Sequence, residues 1–197
     1  MARWEPGTPE RLQAAALELF ATRGYERTTA TEIAQSVGLT ERTFFRHFSD
    51  KREALFHGQQ LLAQAFLEGV NGAPPDASPL DTVARALRSA ASHFSAERRP
   101  HARARKAVID ENPALQEREL RKMADLATTV ADSLRARGVD ELAATVAAQT
   151  GVAVFGVAFG RWVSDGEERS FEDIVTEVFR KLLHLAGDAA PAPQETR

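Results

Sequence analysis

The sequence predicts an all-α protein of about nine helices, and three observations support that fold class. Apolar residues recur at helical spacing along most of the 197 residues. Each apolar stripe is bounded by residues that cap or break a helix. No run of alternating apolar and polar residues is long enough for a β-strand. We expect a head of three helices at residues 1–50, a larger helical domain at 51–187 and a disordered tail at 188–197.

Three short helices are predicted in the head. The first ends at Gly24, because a glycine readily supplies the left-handed backbone conformation that terminates a helix. Thr28 or Thr29 caps the second helix, which stops at Gly38, and Thr40 caps the third. The apolar stripe of the first helix consists of Leu12, Ala15, Ala16, Leu19 and Phe20.

The next two predicted helices flank a cluster of helix breakers. Asp50 and Glu53 open the fourth helix, which continues through Phe66. The segment NGAPPDASP at 71–79 is too rich in proline, glycine and asparagine for a helix, so it is predicted to be a connection. Ser78 then caps the fifth helix.

Four further helices complete the predicted chain. A short basic helix at 98–110 is followed by a new start at Pro113, and Gly138 ends this seventh helix. Residues 146–163 form the eighth helix, which is apolar on nearly all sides. Ser170 begins the ninth helix, which keeps one apolar stripe along its length.

The composition limits the classes of protein that this chain can represent. The chain has no cysteine, which excludes disulfides, thiolate nucleophiles and cysteine-ligated metals. Its 25 basic and 28 acidic residues give a net charge of -3, so any contact with a polyanion must be local. The first twelve residues, MARWEPGTPERL, lack the apolar core of a secretory signal, so the cytoplasm is the expected location.

The second and third predicted helices fit a helix-turn-helix. This motif needs a small residue where the helices cross and a turn residue that tolerates positive φ, which Ala34 and Gly38 supply. The apolar positions on either side are Ile33, Val37, Leu39 and Phe44. The third helix then presents Glu41, Arg42, Thr43, Phe45 and Arg46 outward. A helical corner inside a core is the alternative interpretation of the same spacing.

The outward residues carry chemistry that suits double-stranded DNA. Arg42 can pair with a guanine through two hydrogen bonds, and Thr43 can offer a hydroxyl and a methyl group to a base edge. Thr29, His47 and Lys51 can hold phosphates, which position a protein on DNA without reading its sequence.

The segment TTATEIAQSVGLTERTFFRHFSDKREALF, residues 28–56, resembles the N-terminal signature of the TetR family of one-component bacterial regulators. The shared features are the Thr-Thr start, the Ile-Ala core, the glycine turn, the threonine-aromatic recognition helix and the F-x-x-K-x-x-L opening of the next helix. The resemblance implies a homodimeric repressor that binds a palindromic operator. It also implies release from DNA when a small molecule binds the C-terminal domain.

Matching to the family assigns expected roles to single residues. Thr29, Phe45, His47 and Lys51 fall at the family's phosphate-contact positions, whereas Arg42 and Thr43 fall at base-reading ones. The family usually has tyrosine where Phe45 stands, so a hydroxyl contact to phosphate is lost in this chain. Arg42 replaces a more common glycine or proline, which favours an operator guanine that other members do not read.

The eighth predicted helix suits either a buried position or a membrane span. Gln149 and Arg161 interrupt it, and alanine and glycine supply its bulk, so we expect a helix enclosed by its own domain and a partner subunit. The eighth and ninth helices of two subunits would then form a four-helix interface. The predicted dimerisation residues are Val152, Phe171, Val175, Val178, Phe179 and Leu182.

A ligand pocket is predicted in the C-terminal half. Gly156 and Gly160 either let another backbone approach or leave volume for a ligand. The candidate lining residues, each of which also suits an ordinary core, are Phe94, Met123, Phe155, Phe159 and Trp162. The stretch RRPHARARKAV, which contains Arg103, is either a solvated helix face or an anion site at the mouth of the pocket.

The basic helix and the following IDENPALQERELRKMADL are similar to the C-terminal domain of the acyl-coenzyme A-responsive, mycofactocin-type branch of TetR regulators. This similarity implies an effector with an apolar chain and phosphates, such as an acyl-CoA, or another apolar ligand.

No enzyme, cofactor or metal site is predicted. The five histidines have neither HExxH nor another metal-binding spacing, and no nucleophile elbow or glycine-rich phosphate loop occurs. Two alternatives to a DNA-binding regulator remain. One is a coactivator derived from a helix-turn-helix that binds a protein, and the other is an acyl-ligand-binding protein that does not bind DNA.

Overall fold

The structure, a computed structural model, describes residues 7–188. Within this range it contains nine α-helices, two short 3-10 helices and no β-strand, which confirms the all-α prediction. The α-helices are α1 (Thr8–Arg23), α2 (Ala30–Ser36), α3 (Glu41–His47), α4 (Gln59–Asn71), α5 (Pro79–Ala91), α6 (Arg99–Asp110), α7 (Pro113–Ala136), α8 (Glu141–Trp162) and α9 (Phe171–Asp188). The 3-10 helices are η1 (Glu53–Phe56) and η2 (Ala96–Arg98). Apart from Asp188, the predicted tail lies outside the described residues.

The chain divides into two compact units that alternate along the sequence. The head unit comprises Met1–Gln64 and Arg98–Asp125, and the second unit comprises Ala65–Glu97 and Leu126–Arg197. Helices α4 and α7 therefore contribute residues to both units. The predicted boundary after residue 50 does not follow this division, because α6 and the start of α7 pack with the first three helices.

The head unit has one apolar core. Leu12 and Phe20 of α1 are buried against Ile33 of α2 and Phe44 of α3, as the apolar stripes predicted. The core also contains three side chains from distant parts of the sequence, namely Val108, Ile109 and Leu115. Helices α6 and α7 therefore complete the head, which residues 1–50 alone do not build.

The predicted fourth helix was wrong at its start. Asp50 accepts hydrogen bonds from the backbone amides of Arg52 and Glu53 at 2.8 and 3.1 Å, but these lead into η1 and not into a long α-helix. Ala54, Leu55 and Phe56 are all buried. A surface α-helix buries only one stripe, so three successive buried residues favour the tighter turn, and α4 begins after it.

The second unit is built mainly from α5, α8 and α9. Glycines permit the close crossings, since a Cβ atom on Gly151 of α8 would lie 2.5 Å from Cγ1 of Val83 on α5. Helix α8 is long and apolar enough to span a membrane by length and composition. Its small residues instead pack within the unit, and the buried positions of α8 are Ala144, Ala147, Ala148, Gly151, Val154, Phe155, Ala158 and Trp162.

Candidate nucleic-acid interface and ligand site

One backbone conformation and two hydrogen bonds define the turn between α2 and α3. Gly38 has a φ of 72°, the left-handed conformation that the sequence predicted for the turn. The amide of Leu39 donates to the carbonyl of Ala34 at 2.9 Å and closes the end of α2. Arg11 of α1 donates to the carbonyl of Val37 at 2.8 Å. Sequence reasoning missed Arg11, because nothing in the sequence pairs one arginine of α1 with this carbonyl.

Threonine caps set the starts of both helices in the motif. Thr29 and Glu32 form a capping box at α2, in which the Thr29 hydroxyl donates to the Glu32 carboxylate at 2.9 Å. Hydrogen bonds from the backbone amide and the hydroxyl of Thr29 hold the pKa of the Glu32 carboxyl below its usual value. A phosphate contact from the Thr29 hydroxyl would have to replace this internal bond, so that role stays a prediction.

Glu41 is exposed and joins α2 to α3 through a hydrogen bond. Its carboxylate accepts a hydrogen bond from the hydroxyl of Thr31 at 2.9 Å, which ties the first turns of the two helices together. Thr40 caps α3, and its hydroxyl lies 3.0 Å from the hydroxyl of Thr43, which is half-buried. The Glu41 side chain thus links the two helices, and its contact with DNA stays a prediction.

The outer face of α3 presents cations above a buried aromatic support. Arg42 and Arg46 lie one helical turn apart, are exposed, and form no hydrogen bond or ion pair with any residue from 7 to 188. Phe45 is 49% exposed and packs edge-on against the fully buried Phe44 at a ring distance of 5.5 Å. His47 is also exposed. These four residues stand where the sequence predicted them, and their contacts with DNA remain predictions.

Lys51 is held inside the head and differs in this respect from the predicted phosphate contact. Its ammonium group donates to the carbonyls of Tyr25 and Thr28 at 2.7 and 3.0 Å. The same group lies 4.2 Å from the centre of the Tyr25 ring, a cation–π contact. Two of its three N–H groups are therefore occupied by the turn between α1 and α2. We assign Lys51 to holding this turn, which precedes the Thr29 cap.

Some of the basic side chains of α6 form hydrogen bonds and ion pairs within the protein. Arg105 donates to the carbonyl of Leu55 and to the carboxylate of Glu119, both at 2.9 Å. Lys106 pairs with Asp110 on the same helix at 2.5 Å. These pairs fit the solvated and paired helix face better than an anion site, and an anion role for Arg103 stays a prediction.

Four of the predicted pocket residues form an aromatic cluster in the second unit. The ring of Phe94 lies 5.6 Å from Phe155, 6.0 Å from Phe159 and 5.6 Å from Trp162. Phe171 completes the cluster at 4.6 Å from Phe94. Arg103 and Met123 belong to the head unit, so the predicted lining residues do not all fall within one unit.

A separate apolar groove lies between α5 and α9. Its volume is about 160 Å³. The lining residues are Ala84, Leu87, Arg88, Val175, Thr176, Phe179, Arg180 and Leu183.

The predicted dimerisation residues differ in how far they are buried within the subunit. Phe171 and Val175 are 1% and 2% exposed within their own subunit, so they belong to its core and leave no surface for a partner. Val152, Val178, Phe179 and Leu182 are half-buried. The exposed apolar residues of α8, at 73%, 56% and 62% exposure, are instead Leu142, Val146 and Val157. A Cβ atom on Gly156 or Gly160 would meet no atom of the described subunit within 4 Å.

Two family models match the chain. The model of bacterial regulatory proteins of the tetR family matches residues 12–57, and that of the MftR C-terminal domain matches residues 77–186. The first match covers α2, α3 and the turn between them. The second covers more than half of the chain.

Individual proteins give the same picture. The transcriptional regulator TcmR of Streptomyces glaucescens is 39% identical over 82 residues, which are 42% of this chain and 36% of that protein. The putative mycofactocin biosynthesis regulator MftR of Mycobacterium tuberculosis is 30% identical over 109 residues, 55% of this chain and 54% of that protein. The matched stretches thus span about a third and about half of these relatives.

Solved structures extend the likeness in fold. FadR of Thermus thermophilus, described as a TetR family repressor in complex with lauroyl-CoA, has a TM-score of 0.57 and 24% identity. The alignment covers 96% of this chain and all of that one. At this identity the comparison shows the shared fold and nothing about the ligand.

Proposed function

The chain belongs to the TetR family of bacterial regulatory proteins, and from that premise we propose that it is a DNA-binding transcriptional repressor. It binds a palindromic operator as a homodimer. A small apolar or acyl-type effector releases it. The family consists of non-enzymatic regulators, in agreement with the expectation that this chain is not an enzyme.

The exposed face of α3 carries this proposal. Arg42 and Arg46 are exposed and have no partner among the described residues. On the opposite side, the buried Phe44 and the turn at Gly38 attach the helix to the head. An arginine without an internal partner is available for a guanine edge or a phosphate at little cost in lost internal bonds. In a helical corner that served only a core, the same positions would need no such cations.

The exposed stripe of α8 supports the homodimer. Leu142, Val146 and Val157 leave a large apolar surface on a helix whose other face is buried, and Gly156 and Gly160 allow a close approach. A second copy of the same helix would cover this surface and complete the predicted four-helix interface. The dimer would carry two copies of α3 to successive turns of the major groove, which lie about 34 Å apart.

The proposed effector class rests on the aromatic cluster and on the match to the MftR C-terminal domain. The aromatic cluster around Phe94 consists of rings in mutual contact, so a ligand that enters between them displaces them. The match to the MftR C-terminal domain, together with the resemblance of the basic helix to acyl-coenzyme A-responsive regulators, supports an acyl-type ligand for this chain. Opening the cluster would shift the population toward a form in which the two heads no longer match the DNA.

Binding of the purified protein to DNA from beside its own gene tests the proposal. We expect salt-dependent binding in the nanomolar range that unlabelled DNA of the same sequence displaces and scrambled DNA does not. The double variant Arg42→Ala with Arg46→Ala should abolish it, whereas Arg180→Ala, an exposed arginine of α9, should not. The proposal would be refuted if the double variant and Arg180→Ala bound every DNA sequence with equal affinity. Native mass spectrometry of the purified protein identifies any retained acyl ligand.

A further inference from the structure

We propose that Glu53 is a positioning residue for DNA binding, through which α6 and α7 hold the recognition helix α3 in place. The segment concerned is the connector, Asp50–Phe56, which follows α3 and contains η1. The inference rests on the proposed function for its link to DNA. The contacts that carry it all lie within the head unit.

Two cations of α7 grip Glu53. One carboxylate oxygen accepts from Nε of Arg118 at 2.7 Å, and the other accepts from Nζ of Lys122 at 3.0 Å. Arg118 and Lys122 stand one turn apart on α7, so both reach the same carboxylate from one face. The Glu53 side chain is only 20% exposed, which makes these pairs stronger than ordinary surface ion pairs.

Helix α6 holds the other end of the connector. Nε of Arg105 donates to the carbonyl of Leu55, one of the backbone acceptors of η1, at 2.9 Å. The guanidinium also lies 5.0 Å from the centre of the Phe56 ring. Nη1 of the same guanidinium pairs with Glu119 of α7 at 2.9 Å. Arg105 therefore joins α6 to both the connector and α7.

The connector is in turn attached to the DNA-facing helices. Lys51 holds the carbonyls of Tyr25 and Thr28, which lie just before the start of α2. Phe48, at the end of α3, packs on Phe44 at 5.3 Å and on His57 at 5.5 Å. A movement of α7 is thus passed by Glu53 to a segment that Lys51 ties to the turn before α2 and that lies between Phe48, at the end of α3, and His57.

Local contacts within the motif do not replace this attachment. Hydrogen bonds of the caps and the turn fix α2 and α3 relative to each other, whereas Glu53 adds a polar link to α7 beside the apolar core that the motif shares with α6 and α7. Removing the carboxylate leaves two half-buried cations without their acceptor, so α7 loses its grip on the connector. The fold of the motif is retained, and its placement becomes less defined.

The test uses the full chain with Glu53→Gln, Lys122→Met and the double variant. The matched control is Glu117→Gln, which removes an exposed carboxylate from α7, the helix that carries Lys122. Two quantities are measured for each protein: its affinity for the operator DNA that the unchanged protein binds, and amide hydrogen exchange of α3 without DNA. Thermal unfolding reports whether the head remains folded.

We expect Glu53→Gln to weaken operator binding on the order of tenfold, within the range of coupling between sites. Exchange in α3 should rise, exchange in α9 should not, and the control should behave as the unchanged protein. The combined effect of Glu53→Gln and Lys122→Met should be smaller than the sum of the two single effects, because both remove the pair between Glu53 and Lys122. Unchanged exchange in α3, or additive effects accompanied by general loosening of the head, would overturn the inference. If the unchanged protein binds no DNA, the proposed function fails while the exchange measurement still decides the positioning role.

Discussion

The backbone of Ala86 occupies the space that a side chain at Gly69 would need. A Cβ atom on Gly69 would lie 2.4 Å from Cα and 2.8 Å from the amide nitrogen of Ala86, so α4 and α5 cross in direct backbone contact. We expect Gly69→Ala to lower the free energy of unfolding by about 1–3 kcal/mol, because neither backbone can move aside cheaply. Urea denaturation measures this change.

Gly58→Ala is the control for that substitution. Its Cβ atom would meet nothing within 4 Å, and Gly58 does not have positive φ. This variant should unfold at the same urea concentration as the unchanged protein or at a slightly higher one. Equal stability of the two variants would show that the crossing adjusts to a methyl group.

The salt dependence of DNA binding separates Lys51 from Arg46. Arg46 is exposed without an internal partner, and its replacement by alanine should reduce the slope of log affinity against log salt by about one if it contacts a phosphate. Lys51→Met removes two internal hydrogen bonds. We expect that variant to unfold more easily and to bind all sequences more weakly with an unchanged slope. A slope that falls for Lys51→Met would restore its predicted phosphate contact.

Arg42 should affect sequence preference more than overall affinity. Replacing it by alanine removes the side chain that pairs with a guanine, so we expect a loss of about 1–3 kcal/mol on the preferred operator. Operators changed at that base should lose little further affinity with the variant. Titration of a panel of single-base operator variants gives the measurement, and equal losses on every member would contradict a base-reading role.

The α8 stripe should determine the oligomeric state. Val157 is 62% exposed in the subunit, so Val157→Glu leaves the subunit fold intact and places a charge in the proposed interface. We expect sedimentation equilibrium to show monomers for this variant and dimers for the unchanged chain. Leu120→Glu, at a 72% exposed apolar position of α7, is the control and should remain dimeric. A dimeric Val157→Glu variant would place the interface elsewhere.

The ion pairs of Glu53 should make stability depend on pH. Burial acts to raise the pKa of this carboxyl, but hydrogen bonds from Arg118 and Lys122 outweigh it and bring the pKa below the ordinary value of 4.5. A lowered pKa in the folded state adds stability at higher pH, and this stability is lost as the pH falls through the folded pKa.

The unchanged protein and Glu53→Gln should therefore differ in stability near neutral pH and converge at pH values well below 4.5. Urea unfolding over a pH series measures both proteins, with Glu117→Gln as the control that runs parallel to the unchanged chain. A difference that persists undiminished in acid would assign the effect to side-chain shape.

Local signals predicted much of the helix-turn-helix correctly. The cap at Thr40, the positive φ of Gly38 and the burial of Phe44 depend on residues within one or two turns of each other, so a single sequence carries the information. Thr28 and Thr29 were both possible caps. The structure buries Thr28, whose hydroxyl donates to the carbonyl of Gly24, and leaves Thr29 as the cap.

The sequence by itself determined the fold class, the order of the helices and the outward face of α3, since helical period and capping are local properties. Only the tertiary structure decided that Glu53 meets cations 65 and 69 residues away, and that Phe171 is buried in the core of its own subunit. The physical reason is that a charge or an apolar ring has many equivalent partners along the chain. Which partner it meets depends on how the helices pack, and a pattern of residue types does not record those distances.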